Sequence, residues 1–256
     1  EASQLPLSHA IGALQRVETA LIAGDPEQMS PSSYFSAQAD GVIDLLHQAA
    51  FHLPGQLLRY HYRSEHPSLI AFSNQHFYKN ELQTWPSTST HTTAIFQHYV
   101  ADGQYLERQN INEAQALAKD LSKLLKQTDK IGVVAFSAQQ LQCIHAQLST
   151  KDQALLEDKI NERQAFFLAL EQIQGEECDH LLISLGYAQN EEGKLNLNFG
   201  PLNRKSGRRR LNVLLSRAKQ KIDFFSSIQS SDLSLSDNDS LNLLRLFLLQ
   251  IETPRD

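Results

Sequence analysis

The chain has 256 residues, with 23 Lys and Arg against 29 Asp and Glu and a formal net charge of −6. That length can bury a sizeable core as one large domain or two small ones, and the acidic balance excludes a non-specific cationic coat, so any nucleic acid must meet a local basic patch. Cys143 and Cys178 cannot build a disulfide framework and match no zinc spacing, no apolar run reaches membrane-span length, and no signal peptide is evident; a cytoplasmic protein with buried thiols is expected. The chain begins at Glu1 without a methionine and reads as a piece of something longer.

In chain order, a helix is expected from about Pro6 to Arg16, then a short strand over Thr19 to Ala23 that runs into Gly24-Asp25-Pro26-Glu27-Gln28. Such a turn at a strand's carboxyl end suits phosphate sensing, and it is equally a plain turn. Leu53-Pro54-Gly55 marks a boundary, Gln56 to Tyr62 is a candidate strand, and Pro67 opens a helix that buries Leu69, Ile70, Ser73 and Phe77. Arg63, placed between that strand and helix, faces the ligand crevice of an α/β sheet or else pairs with Glu65. Leu82 to His91 reads as a surface loop and Ala94 to Val100 as a strand at or near a sheet edge. Asn110 or Asn112 caps a helix that runs to about Gln127, with Leu117, Leu121, Leu124 and Leu125 facing inward. Ile131 to Phe136 is apolar without alternation, as in a parallel strand covered on both faces, and Ser137 caps the next helix, Ala138 to Leu148. A charged helix over Lys151 to Gln164 is followed by strands at Phe166 to Leu170 and His180 to Leu185.

Gly200 to Lys221 holds eight of the 23 Lys and Arg residues and no Asp or Glu. From about Arg210 it reads as a helix, because Leu211, Leu214, Leu215 and Ala218 recur at the spacing of a buried face. That register sets Arg210 and Arg217, seven apart, on one flank, where fixed guanidinium groups suit phosphate recognition. Lys221 to Ser226 is a last strand, Ser230 to Asp239 a polar linker, and Leu241 to Ile251 a helix apolar nearly all round, which requires burial on several sides. Alternating strands and helices predict an α/β fold with a mainly parallel sheet sandwiched by helices. The ten histidines form no pattern that supports a metal or triad reading.

Leu211-Asn212-Val213-Leu214-Leu215-Ser216-Arg217-Ala218-Lys219 resembles the last motif of superfamily 1 helicases, L-N-V-A-L-T-R-A-K. Three further stretches extend the resemblance. Glu1-Ala2-Ser3 with Gly24 to Gln28 is similar to motifs II and III. The run from Tyr62 to Tyr78, Y-R-S-x-H-P-x-L-I-x-F-S-N-x-x-F-Y, is similar to motif IV of the Upf-like branch. Gln174-Gly175-Glu176-Glu177 is similar to motif V, and the wording around it is that of the large bacterial AAA-type branch.

What the resemblance implies is a P-loop NTPase fold: residues 1–52 as the end of a first RecA-like domain, 53–228 as the second, and 229–256 as a linker and C-terminal helix. It implies Glu1 as the base that positions water, Gln28 as γ-phosphate sensor, Arg63 as a phosphate contact and Arg217 as arginine finger. Gln174, Gly175 and Glu177 would hold the nucleotide, with Glu177 on the ribose and Gly175 allowing close approach. ATP and Mg²⁺ are the cofactors implied for the full-length protein. None is expected bound to this piece, which lacks the Mg²⁺-binding Asp and the phosphate loop and is expected to be inactive alone. Single-stranded DNA or RNA and the missing first domain are the implied partners, without a membrane. Ala135 and Ala169 stand near positions where relatives place a nucleic-acid-contacting Thr. A catalytically silent nucleic-acid-binding or protein-interaction module with the same fold is the alternative.

Overall fold

Five parallel strands carry the larger of two units, Glu1–Tyr60 and His61–Asp256, into which the chain divides. The computed structural model describes residues 1–30, 43–87 and 91–252. Part of the expected first-domain end (1–52), part of the expected 82–91 loop and the last residues of the expected C-terminal segment (229–256) lie outside those residues.

The smaller unit holds a 3₁₀ turn at Ala2–Gln4 and two helices, α1 (Leu7–Leu14) and α2 (Leu45–His52). Asp44 caps α2 by accepting from the His47 amide at 2.7 Å. A small core of Ala2, Ala10 and Leu45 joins the turn to both helices. The strand expected over Thr19 to Ala23 does not form. That segment makes one backbone bond back to the turn, Ala2 N–H to Ala23 O at 2.9 Å, and Leu21 is 95% exposed. No described strand lies beside it to complete a ladder, and an apolar run without a partner gains nothing from extension.

The expected strand at Gln56 to Tyr62 shrinks to the two-residue β1 (Tyr60–His61), and the loop after the next helix contains β2 (Gln83–Thr84). The helix between them, α3 (Ser68–His76), buries Leu69, Ile70, Phe72 and Ser73 as its spacing predicts. The main sheet consists of β3 (Ile95–Tyr99), β4 (Ile131–Ala135), β5 (Ala165–Ala169), β6 (Cys178–Ser184) and β7 (Ala218–Ser226). Its order is β3-β7-β6-β4-β5, every pair parallel. The uniformly apolar β4 is buried at all five residues between β6 and β5, and β3 lies at an edge.

Chain direction decides which face each helix covers. From β3 to β4 to β5 the chain moves one way across the sheet through α4 (Ile111–Leu124), α5 (Ala138–Gln147) and α6 (Thr150–Asn161). It then returns to β6 and moves the opposite way through α7 (Gly207–Leu215) to β7. Right-handed crossovers running in opposite directions place their helices on opposite faces. Accordingly Ile131, Val133, Leu182 and Phe225 share a core with α4, α5 and α6. The neighbouring Phe224 points the other way, to α8 (Asp239–Glu252), where its ring lies 5.3 Å from Phe247. Asn110, Ser137 and Ser149 cap α4, α5 and α6, each accepting from the third amide of its helix. No described helix is long and apolar enough to cross a membrane.

The expected helix through Ala218 is corrected. α7 starts earlier, at Gly207, and ends at Leu215, while Ala218 opens β7 opposite Cys178. The leucine spacing continues into a segment that the sheet claims, because β7 lies between β6 and β3 and pairs with both, which gives the buried stretch Ile222 to Phe225 backbone partners on either side. Arg210 and Arg217 therefore do not share a helical flank.

The C-terminal helix buries Leu241, Leu243, Leu244, Phe247 and Leu248 and leaves Leu246 and Leu249 exposed. Phe247 is fully buried with its ring 5.3 Å from both Phe72 and Phe224. Phe247→Ala is expected to cost about 3–5 kcal/mol, and removing the residues after Ser240 to leave an unstable or insoluble protein. Urea denaturation checks both; a truncated chain with unchanged stability would make α8 dispensable.

Candidate nucleotide-facing site

Three loops meet at the amino edge of β6 and β7. The segment between β1 and α3 is tied there by the Glu65 amide, which donates to Lys219 O at 2.7 Å. The loop before β6 brings Gln174 to Glu177, and the junction between α7 and β7 brings Ser216 to Lys219. Arg63 was expected in the crevice at the carboxyl ends of the strands. It lies at the opposite edge, because β1 is not part of the main sheet and the loop after it is bonded to the start of β7.

Glu177 is the hub. Its carboxylate pairs with Arg63 Nε at 3.3 Å and with Lys219 Nζ at 2.8 Å. Arg63 also donates from Nη1 to Ser216 O at 3.4 Å, and it pairs with Glu177 rather than Glu65. The hydrogen bond from Lys219, then the charges of Lys219, Arg63 and Lys130, hold the Glu177 carboxyl below its ordinary range. The same bond raises the Lys219 ammonium. All three side chains are about one-third or more exposed, so each pair is worth no more than about 1 kcal/mol. A polyphosphate can therefore compete for these cations.

Arg217 is held differently. It is 2% exposed, and its guanidinium donates to Val213 O at 2.9 Å, Glu176 O at 3.1 Å and Ser216 Oγ at 3.0 Å. It thereby joins the end of α7 to the loop that carries Glu177. Gly175 has φ +87°, which disfavours any side chain, and open space beside its Cα. The Gln174 side-chain amide nitrogen is buried without a hydrogen-bond partner, a group that a ligand acceptor would satisfy.

These features fit a nucleotide: displaceable cations for phosphates, a carboxylate for a sugar hydroxyl, an orphaned donor, and backbone free of a Cβ. Lys219, Lys130 and Glu176 belong to the cluster, with Lys130 Nζ 3.9 Å from Glu176, although no role was read for them from sequence. Lys219 stands inside the quoted motif, and only the switch from helix to strand at Ala218 reveals that it shares an edge with Glu177. Glu1 and Gln28 lie in the smaller unit. Glu1 accepts from the Gln4 side chain at 2.5 Å, and the Gln28 amide donates to Asp25 at 3.0 Å within the expected turn. Ala135 is fully buried at the end of β4 and presents nothing to a ligand.

The AAA domain family matches residues 42–227. The chain is also 31% identical to an ATP-dependent helicase of Mycoplasma pneumoniae and 30% identical to one of Mycoplasma genitalium, in each case over 98% of this chain. It spans about a quarter of the length of these relatives, 25% in both.

Hydrogen bonds to a charged donor contribute about 1.5–3 kcal/mol, so loss of the Arg217 guanidinium, which bonds Val213 O, Glu176 O and Ser216 Oγ, sets a structural expectation. Arg217→Ala should lower the unfolding free energy by about 2–3 kcal/mol, and Arg217→Lys should recover only part, lacking the planar fork. Equilibrium denaturation of the 256-residue chain measures this; unchanged stability in Arg217→Ala would mean that the guanidinium does not hold the junction.

Proposed function

Because the chain belongs to the Upf-like branch of the superfamily 1 helicases, we propose that it is the C-terminal part of an ATP-dependent helicase or translocase acting on single-stranded DNA or RNA. The observation that carries this reading is the amino-edge cluster, in which Arg63, Lys219 and Arg217 converge on the Glu176-Glu177 loop beside an orphaned Gln174 amide. Residues 53–228 act as the second RecA-like domain and residues 1–52 as the end of the first, the remainder of which is supplied elsewhere in the full-length protein.

ATP with Mg²⁺ supplies the phosphoryl group whose transfer to water drives stepping along the strand. Around it, Arg63 and Lys219 exchange Glu177 for phosphate oxygens and neutralise their charge. Glu177, released, accepts from the ribose, and the Gln174 amide gains an acceptor. Arg217 exchanges its carbonyl acceptors for the γ-phosphate when the two domains close, which makes it a contact of the transition state more than of the bound ground state. In the smaller unit Glu1 orients the attacking water and Gln28 senses the γ-phosphate. Nucleic acid takes the opposite, carboxyl edge of the sheet, where α/β folds leave a crevice.

The 256-residue chain alone should not release phosphate from ATP, since positioning and charge neutralisation are incomplete. In the full-length protein with saturating single strand, Arg217→Ala and Arg217→Lys should lower turnover by about 10³–10⁵ with little change in nucleotide affinity. Arg209→Ala serves as the control and should retain turnover. Steady-state phosphate release beside a nucleotide titration decides between readings. Normal turnover in Arg217→Ala would remove the finger role, and no turnover in the unaltered full-length protein would leave the silent module.

A further inference from the structure

The carboxyl edge of the sheet is organised by a buried acid that the nucleotide site does not use. Glu113, in the first turn of α4, is 0% exposed. Its carboxylate accepts from Ser184 Oγ at 2.6 Å, the Gly186 amide at 2.7 Å, Ser227 Oγ at 3.3 Å and Asn110 Nδ2 at 3.4 Å. The hydrogen bonds run in one direction. Gln140 Nε2 donates to Ser184 Oγ at 3.1 Å and Asn110 Nδ2 to Ser227 Oγ at 2.8 Å, so both hydroxyls are turned toward an acceptor. Such a relay suits a carboxylate and opposes a carboxylic acid, which carries a donor of its own.

The groups clamped in this way hold the surface segments at that edge. Ser184 ends β6, Gly186 follows it with φ +76°, and Ser227 follows β7. Asn110, whose amide and carbonyl are both bonded to the Gln140 side chain at 2.8 and 3.1 Å, closes a tight turn made by Leu106 and Gln109. Within that turn Glu107 and Arg108 have φ of 50° and 66°, a left-handed pair without glycine that the surroundings must impose. The Tyr105 amide donates to Gln189 O at 3.1 Å and its ring lies 5.1 Å from that of Tyr187. Burial raises the Tyr105 hydroxyl, and the exposed Arg108, three residues on, acts against that shift. A part-exposed aromatic ring followed three residues later by an exposed cation supplies the two groups that a single strand needs, one for a base and one for a phosphate.

We propose that Glu113 is a positioning residue for single-strand binding, its carboxylate clamping the loops after β6 and β7 and the turn before α4 so that Tyr105 and Arg108 are presented together. The proposal rests on the strand-binding reading above. Burial, against the hydrogen bonds from Ser184, Gly186 and Ser227, pushes the Glu113 carboxyl up from 4.5 to about 7, and no charged side chain contributes. The groups facing it, Asn110, Ser184, Ser227 and the Gly186 amide, do not titrate. Two signs then follow. The acid's own contribution to stability is fully present below about pH 4.5 and is lost as pH rises through about 7. Strand affinity runs the opposite way and rises as the carboxylate forms. A merely structural role would move both together.

The test is binding of a labelled oligothymidylate to the 256-residue chain at low salt, with circular dichroism to confirm folding. If the ionised form alone binds, affinity should fall about tenfold from about pH 8 to about pH 6. Histidine protonation acts in the reverse direction, so the comparison is with Glu113→Gln, which should bind weakly and without that fall. Ser227→Ala, which keeps the acid but removes a donor to its charged form, should move the midpoint to higher pH. A Glu113→Gln chain with wild-type affinity and pH slope, or a midpoint unmoved by Ser227→Ala, overturns the proposal. Absence of any binding by the unaltered chain overturns the strand-binding reading and this proposal together.

Discussion

The pairing of β7 with β6, which begins where Ala218 meets Cys178, is the constraint on which the amino-edge site depends. It ends α7 at Leu215 and turns the chain through Ser216 and Arg217, so that Lys219 emerges next to Glu177. The Cys178 amide donates to Arg217 O at 3.1 Å, and the Arg217 guanidinium donates back to Glu176 O at the same distance. The two loops are thus stitched in both directions at the first rung of the ladder.

Two kinds of polar chemistry occupy the two edges of one sheet. At the amino edge the ion pairs are part-exposed and weak, which lets a polyanion exchange one partner for another. At the carboxyl edge a single acid is fully buried and meets four donors, an arrangement that is costly to disturb. Between them lies an apolar sheet covered on both faces, with Phe224 and Phe225 pointing to opposite cores. Rigid packing of this kind transmits a shift at one edge to the other more readily than it absorbs it.

Much of the larger unit was legible along the chain. The unbroken apolar run of β4, the leucines of α4 and the serine and asparagine caps each state a local preference that tertiary packing then satisfies. Legibility failed where a local pattern had two readings. Thr19 to Ala23 has strand-like residues but no neighbouring strand among the described residues, and Leu211 to Ala218 has helical spacing that continues into a segment with stronger reasons to pair. Gln56 to Tyr62 similarly keeps only two residues of its expected strand.

For the candidate site, resemblance to helicase motifs suggested Glu1, Gln28, Arg63, Gln174, Gly175, Glu177 and Arg217, of which Arg63, Glu177 and Arg217 meet at one edge of the sheet. The sequence by itself determined the α/β class and the family, which rest on local periodicity and on residue identity, and it put forward that roster as a proposal. Tertiary structure alone decided which edge of the sheet Arg63, Glu177 and Arg217 occupy, that Arg217 is buried on backbone carbonyls, and that Glu113 joins loops 71 to 114 residues distant. Strand order and crossover direction set those outcomes, and they depend on contacts between segments far apart in the chain, which no local pattern encodes.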